Sequence, residues 1–158
     1  MDDDGGAPGQ WLTLRARRDV HRRAAGLREL ASGEVLELGD DDGVAALHAR
    51  AEADERYDTV VSILRLGALP DLPASCLAVR SLLAPGGQLL FLEPATGSGL
   101  MRRAQQRLAA LDRLVTGREA RHDVPAVLRT VGFKVTDCER FELPMPWPWR
   151  TFVEGSAR

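Results

Sequence analysis

Cysteine is scarce in this 158-residue chain, with Cys76 and Cys138 its only two. They stand far apart and show no zinc-ligand spacing, so buried free thiols are the better reading. A disulfide between them has little support in a reducing compartment. Charge of one sign is missing too. Lys and Arg total 21 against 23 Asp and Glu, a formal net charge of −2. No global field therefore draws the chain to nucleic acid or to an anionic membrane. Aromatic residues make up only 5%, which argues against a stacking platform for single-stranded nucleic acid. No apolar run reaches the ~18 residues of a membrane span. The start, Met1-Asp2-Asp3-Asp4-Gly5-Gly6, is acidic where a signal peptide would be basic and then apolar. A cytoplasmic location is the resulting expectation.

What remains is the composition of a globular domain, with 44% hydrophobic and 28% charged residues. Residues 1–9 are predicted to be a disordered acidic tail, and residues 10–158 a single domain. Residues 10–30 lack proline and spread Trp11, Leu14, Val20, Leu27 and Leu30 among arginines, the pattern of an amphipathic helix. Residues 34–38 read as a short strand and residues 43–53 as a helix that Asp40, Asp41 and Asp42 can cap. The β-branched run at 57–64 reads as a buried strand. A helix over 71–83, a Pro85-Gly86-Gly87 turn and a strand over 88–93 follow. Helices are predicted over 100–115 and 123–131, the second closed by Gly132. Strands over 133–143 and 150–157 have no helix between them and should form an antiparallel hairpin. Strand–helix alternation through the rest implies an α/β layer fold with a largely parallel sheet.

Four segments, in this order, resemble the class I S-adenosylmethionine (SAM) dependent methyltransferases. YDTVVS at 57–62 is similar to their fourth-strand motif, and LGALPD at 66–71 to the loop that follows it. LLAPGGQLLFLE at 82–93 is similar to their Pro-Gly-Gly turn and fifth strand, and LRTVGF at 128–133 to the passage into the sixth. The likeness covers residues 55–158 and is nearest to small-molecule enzymes of the quinone-biosynthesis and thiol-methylating type. Each motif alone is weak, and their order and spacing carry the resemblance. It implies a Rossmann-like open sheet, mostly parallel with an antiparallel C-terminal hairpin. It also implies SAM as cofactor and a small-molecule acceptor.

The first half is altered. The family opens with a strand, an acid and a loop of the form E/D-x-G-x-G-x-G. VLELGDDDG at 35–43 offers Glu37, Gly39 and Gly43 in register, with Asp41 in place of the central glycine. The alternative is that Leu38-Gly39-Asp40 matches the Gly-Asp step after the family's third strand. Only residues 44–56 separate this segment from the strand at 57, room for one helix. Two strand–helix units are therefore missing under either reading. Both predict five strands in the family order 1-4-5-7-6, with an exposed edge that must be covered or paired with a second chain.

The resemblance carries roles to matching positions. Glu37, Gly39, Asp40 and Gly43 would form the cofactor side, edged by Asp58 and Ser62. Asp58 is expected near the carboxyl end of the sheet. Leu64, Leu66 and Glu93 would line the acceptor side, where strand order reverses. His122 is the candidate general base, against a solvated cap as the simpler reading. The helix over residues 10–31 would cap the cleft. The family's ribose-binding acid has no clear counterpart, which implies weak SAM binding. Asp40, Asp41 and Asp42 lack calcium-loop spacing, so a helix cap is preferred to a metal site. His48 reads as a surface residue, and Trp147 and Trp149 as packing anchors. The arginines at 15, 17, 18, 22 and 23 form a basic run whose solvated-face reading is better than nucleic-acid binding. Three functions follow: a reduced-size methyltransferase, an inactive methyltransferase-like partner of an intact homologue, and an interaction module using its Arg-rich helix.

Overall fold

In a computed structural model the described residues are 11–97, 103, 107, 108 and 122–158. The tail predicted for residues 1–9 lies outside them, as does most of the helix predicted over 100–115. The elements are α1 (Leu14–Glu29), β1 (Val35–Glu37), α2 (Val44–Glu52), β2 (Tyr57–Ile63), a 3-10 turn (Leu66–Ala68), α3 (Leu72–Leu82), β3 (Leu83–Pro94), α4 (Val124–Thr130), β4 (Val135–Glu142) and β5 (Thr151–Ala157). Among the described residues no helix is long and apolar enough to cross a membrane.

The five strands form one open sheet in the order β1-β2-β3-β5-β4. β1, β2 and β3 run parallel, and β5 lies antiparallel to both β3 and β4. This is the predicted 1-4-5-7-6 arrangement with its terminal hairpin. Helices α2 and α3 supply the crossovers between neighbouring parallel strands. Strand alternation splits the core into two layers. Val60, Leu89, Phe91 and Val153 face Leu47, Cys76, Val79 and Leu128 of helices α2, α3 and α4. Val61, Leu90, Leu92 and Phe152 face Leu12, Ala16, Val20 and Leu27 of the α1 segment.

Helix α1 starts at Thr13, whose hydroxyl accepts from the Ala16 N–H. Its buried stripe is Leu12, Ala16, Val20, Ala24 and Leu27. Leu14 and Leu30, expected on that face, are 76% and 62% exposed. The i, i+4 series Ala16, Val20 and Ala24 defines the side that lies close on the sheet. Trp11 stacks on Phe152 at 5.9 Å between ring centroids. Asp71 and Asp123 cap α3 and α4 by accepting from Ala74 and Ala126 N–H groups. Helix α2 departs from expectation: Gly43 occupies its N-cap with no side-chain bond, and Asp42 turns back to accept from the Gly39 N–H at 2.8 Å.

The Pro-Gly-Gly turn falls within β3 instead of before it. Pairing passes from Tyr57↔Leu83 to Thr59↔Gln88, so residues 84–87 bulge out of the ladder. Gly86 takes φ +80 there, a conformation that glycine adopts without a Cβ penalty. β1 and β4 form the two sheet edges. β1 has three residues, and β4 carries Asp137, Glu139, Arg140 and Glu142. Short strands and charged side chains both discourage edge-to-edge aggregation.

Candidate functional site

The parallel strands β1 and β2 end beside each other, and α1 crosses above those ends. The space between them is a cleft of ≈ 520 Å³. Glu37, Leu38, Gly39 and Asp40 form its β1 wall, and Ile63, Leu64 and Arg65 its β2 wall. Helix α1 adds Arg17, His21, Ala24 and Arg28, spaced by four, three and four residues on one helical side. Leu12 and Val20 supply apolar surface. The N-terminal helix therefore covers the cleft as the sequence implied.

Of the residues expected at the site, Glu37, Gly39, Asp40 and Leu64 line this cleft. Both carboxylates are already engaged. Arg28 of α1 reaches Glu37 with two nitrogens, Nε at 2.9 Å and a second, shorter contact from its terminal NH2. That fork geometry gives the strong form of the Arg–carboxylate contact. Hydrogen bonding to Glu37 also raises the Arg28 guanidinium above its ordinary pKa, against a smaller opposing effect of burial. On the other wall, Arg65 donates to Asp40 at 2.7 Å. Arg65 is well covered and Asp40 is mostly exposed. Sequence reasoning missed Arg28 and Arg65. The signal for Arg28 was present in the 17/21/24/28 spacing, whereas Arg65 carried none.

Leu64 closes β2 at φ +58, a left-handed conformation that costs a branched residue ~1–2 kcal/mol. Its N–H donates to Leu92 O at 2.8 Å and its side chain is buried under α1. Those contacts hold the chain as it leaves the sheet and turns along the cleft.

Ser62, Leu66 and Glu93 come together, but beneath the cleft wall. All three are fully buried. Glu93 Oε1 accepts from Ser62 Oγ at 2.7 Å, from the Leu66 N–H at 2.9 Å and from the Arg65 N–H at 3.0 Å. Its Oε2 accepts from the Gly67 N–H at 3.2 Å. The Ser62 hydroxyl also accepts from the Leu66 N–H at 3.0 Å. This carboxylate ties down the turn after β2 and so fixes where Leu64 and Arg65 stand.

Asp58 is not at the carboxyl end of the sheet. It lies near the start of β2, where its Oδ2 accepts from the Glu34 N–H at 2.9 Å. The parallel direction of the strands puts that end opposite the cleft, so Asp58 anchors the chain entering β1. Gly43 caps α2, and an added Cβ would meet nothing within 4 Å. At Gly39 a Cβ would find only Asp42 Oδ2, at 3.6 Å. The loop therefore leaves space on its open side. His122 precedes α4 and does not line the cleft. Arg140 links the adjacent Asp123 to the end of β3, donating to Asp123 Oδ2 at 3.4 Å and to Thr96 O at 2.7 Å.

No family model matches the sequence, and no curated protein matches it. Solved structures share its fold. A SAM-dependent methyltransferase from Thermotoga maritima, described as a possible histamine N-methyltransferase, superposes at TM-score 0.57 with 12% identity, covering 91% of this chain and 90% of that one. The 1,6-didemethyltoxoflavin-N1-methyltransferase of Burkholderia thailandensis, solved with its substrate and S-adenosylhomocysteine, gives 0.56 with 15% identity, over 94% and 80%. The cyclase SpnF gives 0.57 with 13% identity, over 87% and 80%. The chain has the fold of class I SAM-dependent methyltransferases, and at these identities the likeness establishes the fold.

Proposed function

We propose that the protein binds SAM in the cleft between α1, β1 and β2 and delivers its methyl group to a small-molecule acceptor. The position of the cleft is the observation that carries this reading. It opens at the carboxyl ends of adjacent parallel strands, the usual ligand site of open α/β sheets. Its ≈ 520 Å³ falls inside the ~300–1,000 Å³ typical of small-molecule pockets. Two carboxylates, Glu37 and Asp40, stand on the β1 wall, suited to a ligand with an amino group and hydroxyls. Gly39 lines the cleft, and the space beside it admits a close-lying ligand chain, whereas Gly43 lies outside the lining.

When bound, SAM supplies an electrophilic methyl on a sulfonium centre. The protein's own task is then to bind, align and exclude water, since methyl displacement needs no protein nucleophile. Glu37 and Asp40 would hold the polar end of the cofactor. Leu64 and Ile63 would form the apolar floor, with the Glu93 clamp keeping that floor in place. His122 stands outside the cleft, in the segment that Arg140 ties to the end of β3. From there it could serve an acceptor entering from the β3 side as a general base. Calorimetric titration with SAM and S-adenosylhomocysteine tests the binding step. A measurable heat with a dissociation constant below a millimolar supports it, and no heat at millimolar cofactor would sink it.

A second reading is a binding-only protein that partners an intact homologue. Its supporting observation is the pairing of both cleft carboxylates with Arg28 and Arg65, which weakens the site for a cationic cofactor. The open edge at β1, where Val35 is 44% exposed, offers a surface for a partner chain. The likeness to a cyclase alongside methyltransferases also shows that the fold does not choose the chemistry. Unchanged activity of an intact homologue when this protein is withheld would remove the partner reading.

A further inference from the structure

Among the described residues the cleft carries three arginines and two carboxylates, and each carboxylate is matched to one arginine. In a site for a ligand with a positively charged amino group, the obvious anchor is therefore taken before the ligand arrives. We propose that Arg28 is an intramolecular competitor for Glu37, holding the carboxylate that would otherwise pair with the α-amino group of the cofactor. This rests on the SAM reading given above. It makes Arg28 a specificity-determining residue, because it sets how much a ligand gains from carrying that amino group.

The geometry supports exchange at this place. The Arg28–Glu37 pair sits at the rim, with side chains 46% and 42% exposed, so water can take up whichever partner is released. At that exposure solvent screening holds even a forked pair to about 1 kcal/mol, so one cation can replace another at small cost. Release of Arg28 does not undock the helix. Leu27 is buried beside it, Gln88 Nε2 donates to Leu30 O at 3.1 Å, and the Ser32 N–H donates to Thr59 Oγ1 at 3.1 Å. The helix end is held without the bridge, so the bridge is free to act on the ligand.

The experiment uses the full chain and two nucleosides. S-adenosylhomocysteine carries the amino-acid tail, and methylthioadenosine has the same thioether-linked adenosine without it. Arg28→Met keeps the aliphatic stem and removes the charge. The expected result is that Arg28→Met binds S-adenosylhomocysteine about 3- to 5-fold more tightly than the wild type, the range of a half-exposed ion pair. Binding of methylthioadenosine should not change. Arg28→Met combined with Glu37→Gln should bind no more tightly than Glu37→Gln alone. Arg28→Gln serves as the second variant should methionine disturb the helix end, with circular dichroism as the check on folding. The proposal is overturned when wild type and variant bind S-adenosylhomocysteine equally, when the variant binds more weakly, or when both nucleosides gain alike. Absence of binding by either nucleoside to every variant is a different result. It removes the SAM reading itself, and the competitor role with it.

Discussion

Glu93 carries a carboxylate with no exposed surface, surrounded by the Ser62 hydroxyl and the N–H groups of Arg65, Leu66 and Gly67. The resemblance assigns Ser62 to the cofactor side and Leu66 and Glu93 to the acceptor side, a ligand-facing role for each. The direction of the side chain decides otherwise. Along β3, Leu89 and Phe91 point to the α3 side, and strand alternation sends Glu93 the same way. A charge in that layer is tolerated only when its lone pairs are filled. Truncation would take the acceptor from the Ser62 hydroxyl and from the Arg65 and Gly67 N–H groups, and would leave the Leu66 N–H with Ser62 Oγ alone. Glu93→Ala should therefore lower unfolding free energy by about 3–5 kcal/mol in urea titration, as for other broken buried polar networks. Amide exchange at residues 65–67 should speed up in the same variant. A loss below about 1 kcal/mol would show that the clamp is not holding the turn.

At the scale of elements, most of the chain is legible because its patterns are strong. Buried β-branched runs mark β2, Asp71 with Pro73 marks the start of α3, and Gly132 at φ +95 closes α4. The face of α1 is less legible, since Ala16 and Ala24 fall below the contrast by which apolar periodicity is read. Contacts between strands leave even less trace. Gly155 reads as an unremarkable residue of the final hairpin. In the sheet, a Cβ at that position would come within 2.1 Å of Asp137 O and 3.0 Å of Phe91 Cζ. The obstacle is backbone, next to the irregular register between Val135 and Asp137, so it cannot swing aside as a side chain would. Gly155→Ala should cost about 2–3 kcal/mol by overpacking and should raise exchange along β4 first. Wild-type stability in this variant would mean that the hairpin has room the packing does not show.

For the molecule as a whole, strand order was legible through the resemblance, which implied the family order 1-4-5-7-6. A right-handed crossover by one helix between adjacent parallel strands is compatible with it. The charge state of the interior was not legible, since it depends on which groups the two layers enclose. Both cysteines were expected to be buried thiols. Cys138 is exposed on the edge strand β4, whereas Cys76 lies fully buried in the α3 layer. Burial, with a smaller contribution from the charge of Glu93, pushes its pKa up to about 12 from 9.0. Below pH ~9 both folded and unfolded chains keep this proton, and the Cys76 thiol adds no pH dependence to stability. Above it the unfolded chain releases the proton and the folded chain keeps it, so stability falls as pH rises toward the folded value. The slope approaches ~1.4 kcal/mol per pH unit, and the loss at pH 10 is about that amount. Urea unfolding at pH 8, 9 and 10 checks this when wild type is compared with Cys76→Ala. The variant loses packing at every pH, but its stability should decline less steeply between pH 9 and 10. Parallel decline in both proteins would mean that the Cys76 thiol ionises as freely in the folded core as it does in the unfolded chain.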